Sequence, residues 1–160
     1  MAIVNYPDWL PLPQRVSKNL THQTPFRKDQ PAVGLQIYQK LTTNVAPSWS
    51  LTWILTARQN DAFMQWLRSP NYLDQTNNWF NMLIDLGGEL SGLQMQELHF
   101  NEYPVQTNIN GGVVTWTGSV SARKINNEMD EFGDIIVELS PEWFDILDIV
   151  VNRTLPEYKQ

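Results

Sequence analysis

Ser48-Trp49-Ser50-Leu51-Thr52-Trp53-Ile54-Leu55-Thr56, running without a break into Ala57-Arg58-Gln59-Asn60-Asp61-Ala62-Phe63-Met64-Gln65-Trp66-Leu67-Arg68, decides how the rest of this sequence is read. In the first half, Trp49, Leu51, Trp53 and Leu55 alternate with Ser48, Ser50, Thr52 and Thr56, and only Ile54 breaks the pattern. A period of two is the signature of a strand with one face buried and the other wet. In the second half the period changes. Ala62, Phe63, Trp66 and Leu67 fall on one helical stripe, with Arg58, Asp61, Gln65 and Arg68 opposite. Thr56 is placed to cap that helix, and Gln59 stands at the spacing of a capping box. Ser69-Pro70-Asn71 ends it, because the residue before a proline is driven away from helical geometry. A helix over about 57–68, packed on a sheet, is therefore expected.

Downstream, the polar loop Asp74-Gln75-Thr76-Asn77-Asn78 leads to a strand at Trp79–Asp85 whose Phe80, Met82 and Ile84 share a face. Gly87-Gly88 stops it. Leu93 and Met95 open a further strand whose phase slips before Leu98 and Phe100, which a bulge near Gln96-Glu97 would explain. Tyr103-Pro104 is read as an interruption, and Asn110-Gly111 as a type I′ hairpin turn. Val114, Trp116, Gly118, Val120 and Ala122 then alternate with Thr115, Thr117, Ser119, Ser121 and Arg123 in a long returning strand.

Upstream, Val33, Leu35, Ile37 and Leu41 alternate with mostly polar neighbours and predict a strand over 33–41. Residues 1–31 read as an extended, proline-rich arm. Pro7, Pro11, Pro13, Pro25 and Pro31 forbid a helix and interrupt a sheet ladder, while apolar anchors lie between them. Such an arm lies along a surface, either its own or a neighbour's. At the other end, Asn126–Glu131 is polar and acidic, a linker or loop, and Ile135–Leu139 reads as a short strand. Ser140-Pro141-Glu142 is a strong helix start. A C-terminal helix over about 141–153 follows, with Trp143, Phe144, Leu147, Val150 and Val151 on its apolar side.

The fold class is thus α+β and β-dominated: a split-barrel or sandwich sheet with one packed helix, an N-terminal arm and a C-terminal helix. The organisation expected is an arm at 1–31, a β-rich core domain at 32–125, and a linker plus helix at 126–160. The candidate core comprises Trp49, Leu51, Trp53, Leu55, Phe63, Trp66, Leu67, Phe80, Met82, Ile84, Trp116 and Val120. The candidate interface comprises Tyr6, Trp9, Leu10, Leu12, Phe26, Trp143 and Phe144.

At 160 residues the chain suits one domain with a genuine core, and 42% hydrophobic with 18% charged residues is an ordinary globular balance. Eleven Lys and Arg against 17 Asp and Glu leave a net charge of -6 and no basic stripe, so nucleic-acid binding is not expected. There is no cysteine, which removes disulfides, thiolate metal sites and cysteine nucleophiles. The first residues lack the basic start and apolar run of a secretion signal, and no membrane span is expected. Asn19-Leu20-Thr21 and Asn152-Arg153-Thr154 match the glycosylation pattern and are read as chance.

Catalytic chemistry finds little to stand on. His22 and His99 are the only histidines, and they do not form a metal-ligand cluster. His99 reads as structural. No Gly-x-Ser-x-Gly elbow or phosphate-binding loop occurs. Glu97, Glu102, Asp85 and Glu89 are the carboxylates nearest to a glycosidase pattern, but a non-catalytic carbohydrate-binding module is the better form of that idea. It would need two or three tryptophans exposed on one sheet face. No enzyme activity, cofactor or metal is expected.

The order of elements from Val33 to Arg123 resembles the minor tail proteins of long-tailed phages, the lambda minor tail protein M family, which belongs with the distal-tail and tail-tube group. The matching pieces are Trp49–Thr56, the helix through Phe63, Trp66 and Leu67, the segment Trp79-Phe80-Asn81-Met82, and Val113 to Arg123. Where many relatives carry a Gly-Asp-Gly-Tyr-like turn, this chain has Thr42-Thr43-Asn44-Val45. The resemblance implies a virion structural protein of the tail tip, assembled in the host cytoplasm, forming a homo-oligomeric ring or trimer and contacting other tail proteins. A head-tail connector or capsid decoration protein is the alternative within that class.

Overall fold

The computed structural model describes residues 3–88 and 91–138. These residues fall into two units, one up to Asn126 and one from Asn127 onward. The first contains, in chain order, β1 (Val4–Asn5), β2 (Asn19–His22), β3 (Phe26–Asp29), β4 (Ile37–Lys40), β5 (Pro47–Thr56), α1 (Ala57–Arg68), β6 (Phe80–Asp85), β7 (Leu93–Asn110) and β8 (Val113–Ala122). Six strands make one sheet in the order β1-β6-β7-β8-β5-β2, antiparallel except where β1 runs parallel to β6. β3 and β4 form a separate hairpin. The fold is α+β and β-dominated.

β5 buries Trp49, Leu51, Trp53 and Leu55 and turns its serines and threonines outward. The chain enters α1 directly because Thr56 closes a reciprocal cap: its Oγ1 accepts from Gln59 N–H, and Gln59 Oε1 accepts from Thr56 N–H at 2.9 Å. Two of the helix's orphan donors are thereby satisfied without a loop. Phe63, Trp66 and Leu67 then face the sheet, where Phe63 meets Trp53 and Trp116 with ring centroids 5.5 and 5.4 Å apart. Trp66 meets Phe80 edge-on at 5.2 Å. Edge-to-face pairs of this kind add about 0.5–1.5 kcal/mol each beyond the area they bury. All twelve residues of the candidate core lie inside this layer.

The phase of β7 departs from expectation. Its pairing with β6 is continuous from Leu93 to Leu98, so no bulge lies at Gln96-Glu97. Instead the even positions Gln96, Leu98 and Phe100 point inward, and Leu93 and Met95 are half-exposed on the outer face. The misleading residue is Gln96, a polar side chain at a core position. It is fully buried because its amide donates to Asn126 C=O at 2.6 Å and its oxygen accepts from Asn126 N–H at 2.9 Å. A buried amide with both ends satisfied is tolerated where an unpaired one is not. Gln96→Ala is expected to cost about 2–3 kcal/mol and Gln96→Leu roughly half of that, since only the latter restores the volume. Urea unfolding measures the difference, and faster amide exchange at Asn126 should accompany both.

The register irregularities fall further along β7, between Phe100 and Glu102, Glu102 and Val105, and Gln106 and Asn108. Tyr103-Pro104 therefore does not end the strand. Pro104 is buried inside this irregular stretch, where a missing donor leaves no gap in the ladder. The β7–β8 turn uses Gly111 and Gly112 as its central residues, both at positive φ (57° and 83°), one position later than the Asn-Gly reading placed it.

Of the two surfaces open to the N-terminal arm, the segment lies along that of its own unit. β1 pairs with one edge of the sheet through Val4↔Phe80 and Asn5↔Asn81, and β2 pairs with the other through Asn19↔Ser50 to His22↔Pro47. Between them, Tyr6 N–H donates to Asn81 C=O and Gln14 N–H to Thr52 C=O, each at 2.8 Å. One continuous strap thus pairs with β6 on one side and β5 on the other, and its short strands β1 and β2 are the two edge strands of the sheet. Pro7, Pro11 and Pro13 sit in the crossing between the two paired stretches, where no ladder donor is required. The strap also contributes to the core. Tyr6 stands edge-on to Trp66 at 5.4 Å and donates its hydroxyl to Pro11 C=O at 2.7 Å, while Trp66 Nε1–H donates to Asn5 C=O at 3.1 Å.

In the second unit, Glu128–Phe132 forms a 3₁₀ turn and α2 spans Gly133–Glu138. Ile135 is thus helical, where a strand is expected from the β-branched run. The expected helix over about 141–153 lies outside the described residues.

Candidate interaction surface

Residues Phe26–Lys40 are the part of the first unit that its own core does not absorb. β3 and β4 pair as Phe26↔Lys40, Arg27↔Gln39, Lys28↔Tyr38 and Asp29↔Ile37. Opposed residues share a face, so Phe26, Lys28, Tyr38 and Lys40 project on one side, and Arg27, Asp29, Ile37 and Gln39 on the other. The diagonal contact of Phe26 with Tyr38, T-shaped with centroids 5.6 Å apart, lies on the first face. On the second, Arg27 Nε is 2.8 Å from Asp29 Oδ1. Leu41 N–H donates to Pro25 C=O at 2.8 Å and closes the base of the hairpin.

The expected strand over 33–41 shortens to β4. Gly34, at φ 113°, turns the chain, and Val33 and Leu35 stand in the connecting loop 91% and 92% exposed. Their alternation with polar residues reflects no buried face: among the described residues both side chains stay exposed. Ile37, Tyr38 and Leu41 are each about 60% exposed as well. An isolated two-stranded ribbon is marginal in water, and a run of bare apolar side chains makes it a candidate docking element.

The other candidate interface residues are distributed differently. Tyr6 and Leu10 are buried in the core of their own unit, so they are not available to a neighbour; Leu12 is half-buried against the same core. Burial raises the Tyr6 phenol above its ordinary pKa. Trp9 is 62% exposed, beside Thr56, Arg58 and Gln59, and Phe26 is exposed on the hairpin. Trp143 and Phe144 lie outside the described residues. Lys28, Tyr38 and Lys40 were missed because a period-2 reading of 33–41 assigns Tyr38 and Lys40 to the wet face. The usable signal was the pairing of two short aromatic-basic stretches, Phe26-Arg27-Lys28 and Tyr38-Gln39-Lys40.

A second surface cluster surrounds Trp79. The Arg123 guanidinium covers its ring at 4.4 Å, His99 lies 5.0 Å from it, and Glu97 is 3.6 Å from Arg123. Asn77 donates to Phe100 C=O at 2.7 Å and approaches His99 Nδ1 at 3.4 Å. Here His99 is held by neighbours. A sugar platform does not form: Trp49, Trp53, Trp66 and Trp116 are buried and Trp79 is capped by Arg123, leaving Trp9 as the exposed tryptophan among the described residues. No group of three or more metal-ligating side chains occurs among them.

Asp85 ties the strap to β6. It accepts from Gly87 N–H at 2.8 Å and pairs with Arg15, while Lys18 donates to its main-chain oxygen. The Gly87 N–H first, then the two cations, hold its carboxyl below the usual aspartate range. A depressed native pKa adds stability that is present above the unfolded value of about 4 and disappears as the pH falls through the native one. Asp85→Asn is expected to flatten the acid limb of a Tm-versus-pH curve below about pH 4 and to leave its alkaline limb unchanged.

No family model, curated protein or solved structure matches the chain. Among the described residues no helix is long and apolar enough to cross a membrane.

Proposed function

We propose that this chain is a structural subunit of a phage virion, placed at the tail tip, which self-assembles and joins tail components without catalysing a reaction. The observation that carries the reading is the β3–β4 hairpin, a ribbon outside the main sheet that leaves Phe26, Ile37, Tyr38 and Leu41 exposed. Sheet edges are normally covered or guarded, and an uncovered apolar ribbon is a natural site for a partner. The layout of residues 33–123, which resembles phage minor tail proteins, supplies the kind of partner: further copies and other tail subunits. On this reading the chain assembles in the host cytoplasm and functions in the virion.

Light scattering on the purified chain, followed by electron microscopy of the species found, tests the proposal. A closed ring or trimer is the expected result. A chain that stays monomeric at high protein concentration would remove the assembly role.

A further inference from the structure

The hairpin's two faces differ in charge. Lys28 and Lys40 stand beside Phe26 and Tyr38 with no acid among them, while the only hairpin acid, Asp29, is on the opposite face with Arg27. This is a basic, aromatic surface on a chain whose net charge is -6. The complementary surface lies in the chain's second unit. Glu128, Asp130, Glu131, Asp134 and Glu138 are exposed along the 3₁₀ turn and α2, and no Lys or Arg occurs between Lys124 and Arg153. Ile135 and Val137 are exposed within the same stretch, 48% and 86%. Each surface therefore combines apolar side chains with one sign of charge, and the signs are opposite.

We propose that the Phe26, Lys28, Tyr38 and Lys40 face of one copy docks onto the Glu128–Glu138 segment of a second copy. The proposal rests on the assembly reading and names the contact that would carry it. The aromatic pair supplies the buried centre, and the lysines set orientation and encounter rate against the acidic stretch. The two patches are different parts of one chain, so every copy offers both halves. A head-to-tail contact of this type is heterologous and repeats until a rotation closes it into a ring.

Charge reversal in both halves provides the test, read by light scattering in about 0.1 M and 1 M salt, since exposed charges are strongly screened at the higher concentration. The wild-type chain is expected to associate, and to do so more weakly in high salt. Lys28→Glu with Lys40→Glu, and separately Glu131→Lys with Asp134→Lys, should each weaken association at least tenfold. All four residues are exposed, so these variants are expected to keep the wild-type melting temperature. Mixing the two double variants should restore association, because each then meets a complementary half. If wild type associates and the lysine variant associates equally well, the docking contact is wrong and the assembly reading stands. If the lysine variant fails and the mixture does not recover, the hairpin's partner is another surface. Co-pelleting of a monomeric wild type with vesicles containing phosphatidylserine, lost in the lysine variant, would show a lipid-binding hairpin and overturn both.

Discussion

A chain lacking residues 1–22 is expected to lose cooperative unfolding altogether, giving a broad thermal transition and poorly dispersed amide resonances. The expectation follows from where the strap goes. β1 pairs with β6, β2 pairs with β5, Tyr6 packs edge-on against Trp66, and Leu10 is buried in the core. Deletion would uncover two rows of backbone donors and acceptors together with core apolar surface. Each backbone hydrogen bond exchanged for water costs about 0.5–1.5 kcal/mol, and losing the buried Tyr6 and Leu10 side chains costs about 2–5 kcal/mol each. These losses together exceed the roughly 5–15 kcal/mol by which a domain is normally stable. A folded, cooperative truncation product would show that the strap is dispensable. Tyr6→Phe isolates one component: it keeps the ring and strands the Pro11 carbonyl, so a loss of about 1 kcal/mol is expected.

The second large effect concerns Trp53. It is fully buried, touches Phe63 and Phe100, and its Nε1–H has no acceptor within hydrogen-bonding geometry among the described residues. Trp53→Ala should cost about 3–5 kcal/mol through the cavity it leaves. Trp53→Phe should cost far less, about 1 kcal/mol, because the lost contacts are offset by removal of a buried unpaired donor. Gly118 lies directly beneath: a Cβ there would stand 3.3 Å from Trp53 Cζ3 and 3.5 Å from Phe100 and Pro104. Gly118→Ala is therefore expected to destabilise the wild type but to cost less in the Trp53→Phe background. Urea denaturation of the four proteins gives the coupling directly. Additive losses would mean that Trp53 and Gly118 do not constrain one another.

The central unit was legible in the sequence because each local signal agreed with its neighbours. Trp49 to Leu55 alternate, Thr56 and Gln59 form the cap, and Phe63, Trp66 and Leu67 share a stripe, so one arrangement satisfies all three. Elsewhere a single residue misled. Gln96 is polar yet interior, because Asn126, 30 residues away, satisfies it. Val33 and Leu35 are apolar yet exposed, because alternation shows which side chains could share a face and not whether anything covers that face. The prolines of the strap forbid pairing only at their own positions, which leaves Val4-Asn5 and Asn19–His22 free to pair. The hairpin's aromatic-basic face was only half visible for a related reason: both stretches can be read, but the shared face depends on the register of Phe26 with Lys40, a non-local fact.

The strap also sets the order in which the molecule can be made. Its first strand must find Phe80 and Asn81, and its second must find Pro47 to Ser50. Both partners leave the ribosome after it. At about 5–20 residues per second, the N-terminal segment waits roughly 4–15 s for β6 to be synthesised, and longer for the remaining strands. Docking of the strap on the sheet is thus a late, long-range step, of the kind that slows folding as loop-closure entropy accumulates. Until it happens, the nascent chain carries open strand edges and bare tryptophans. Of the strands in this sheet, the two translated earliest are the ones that complete it.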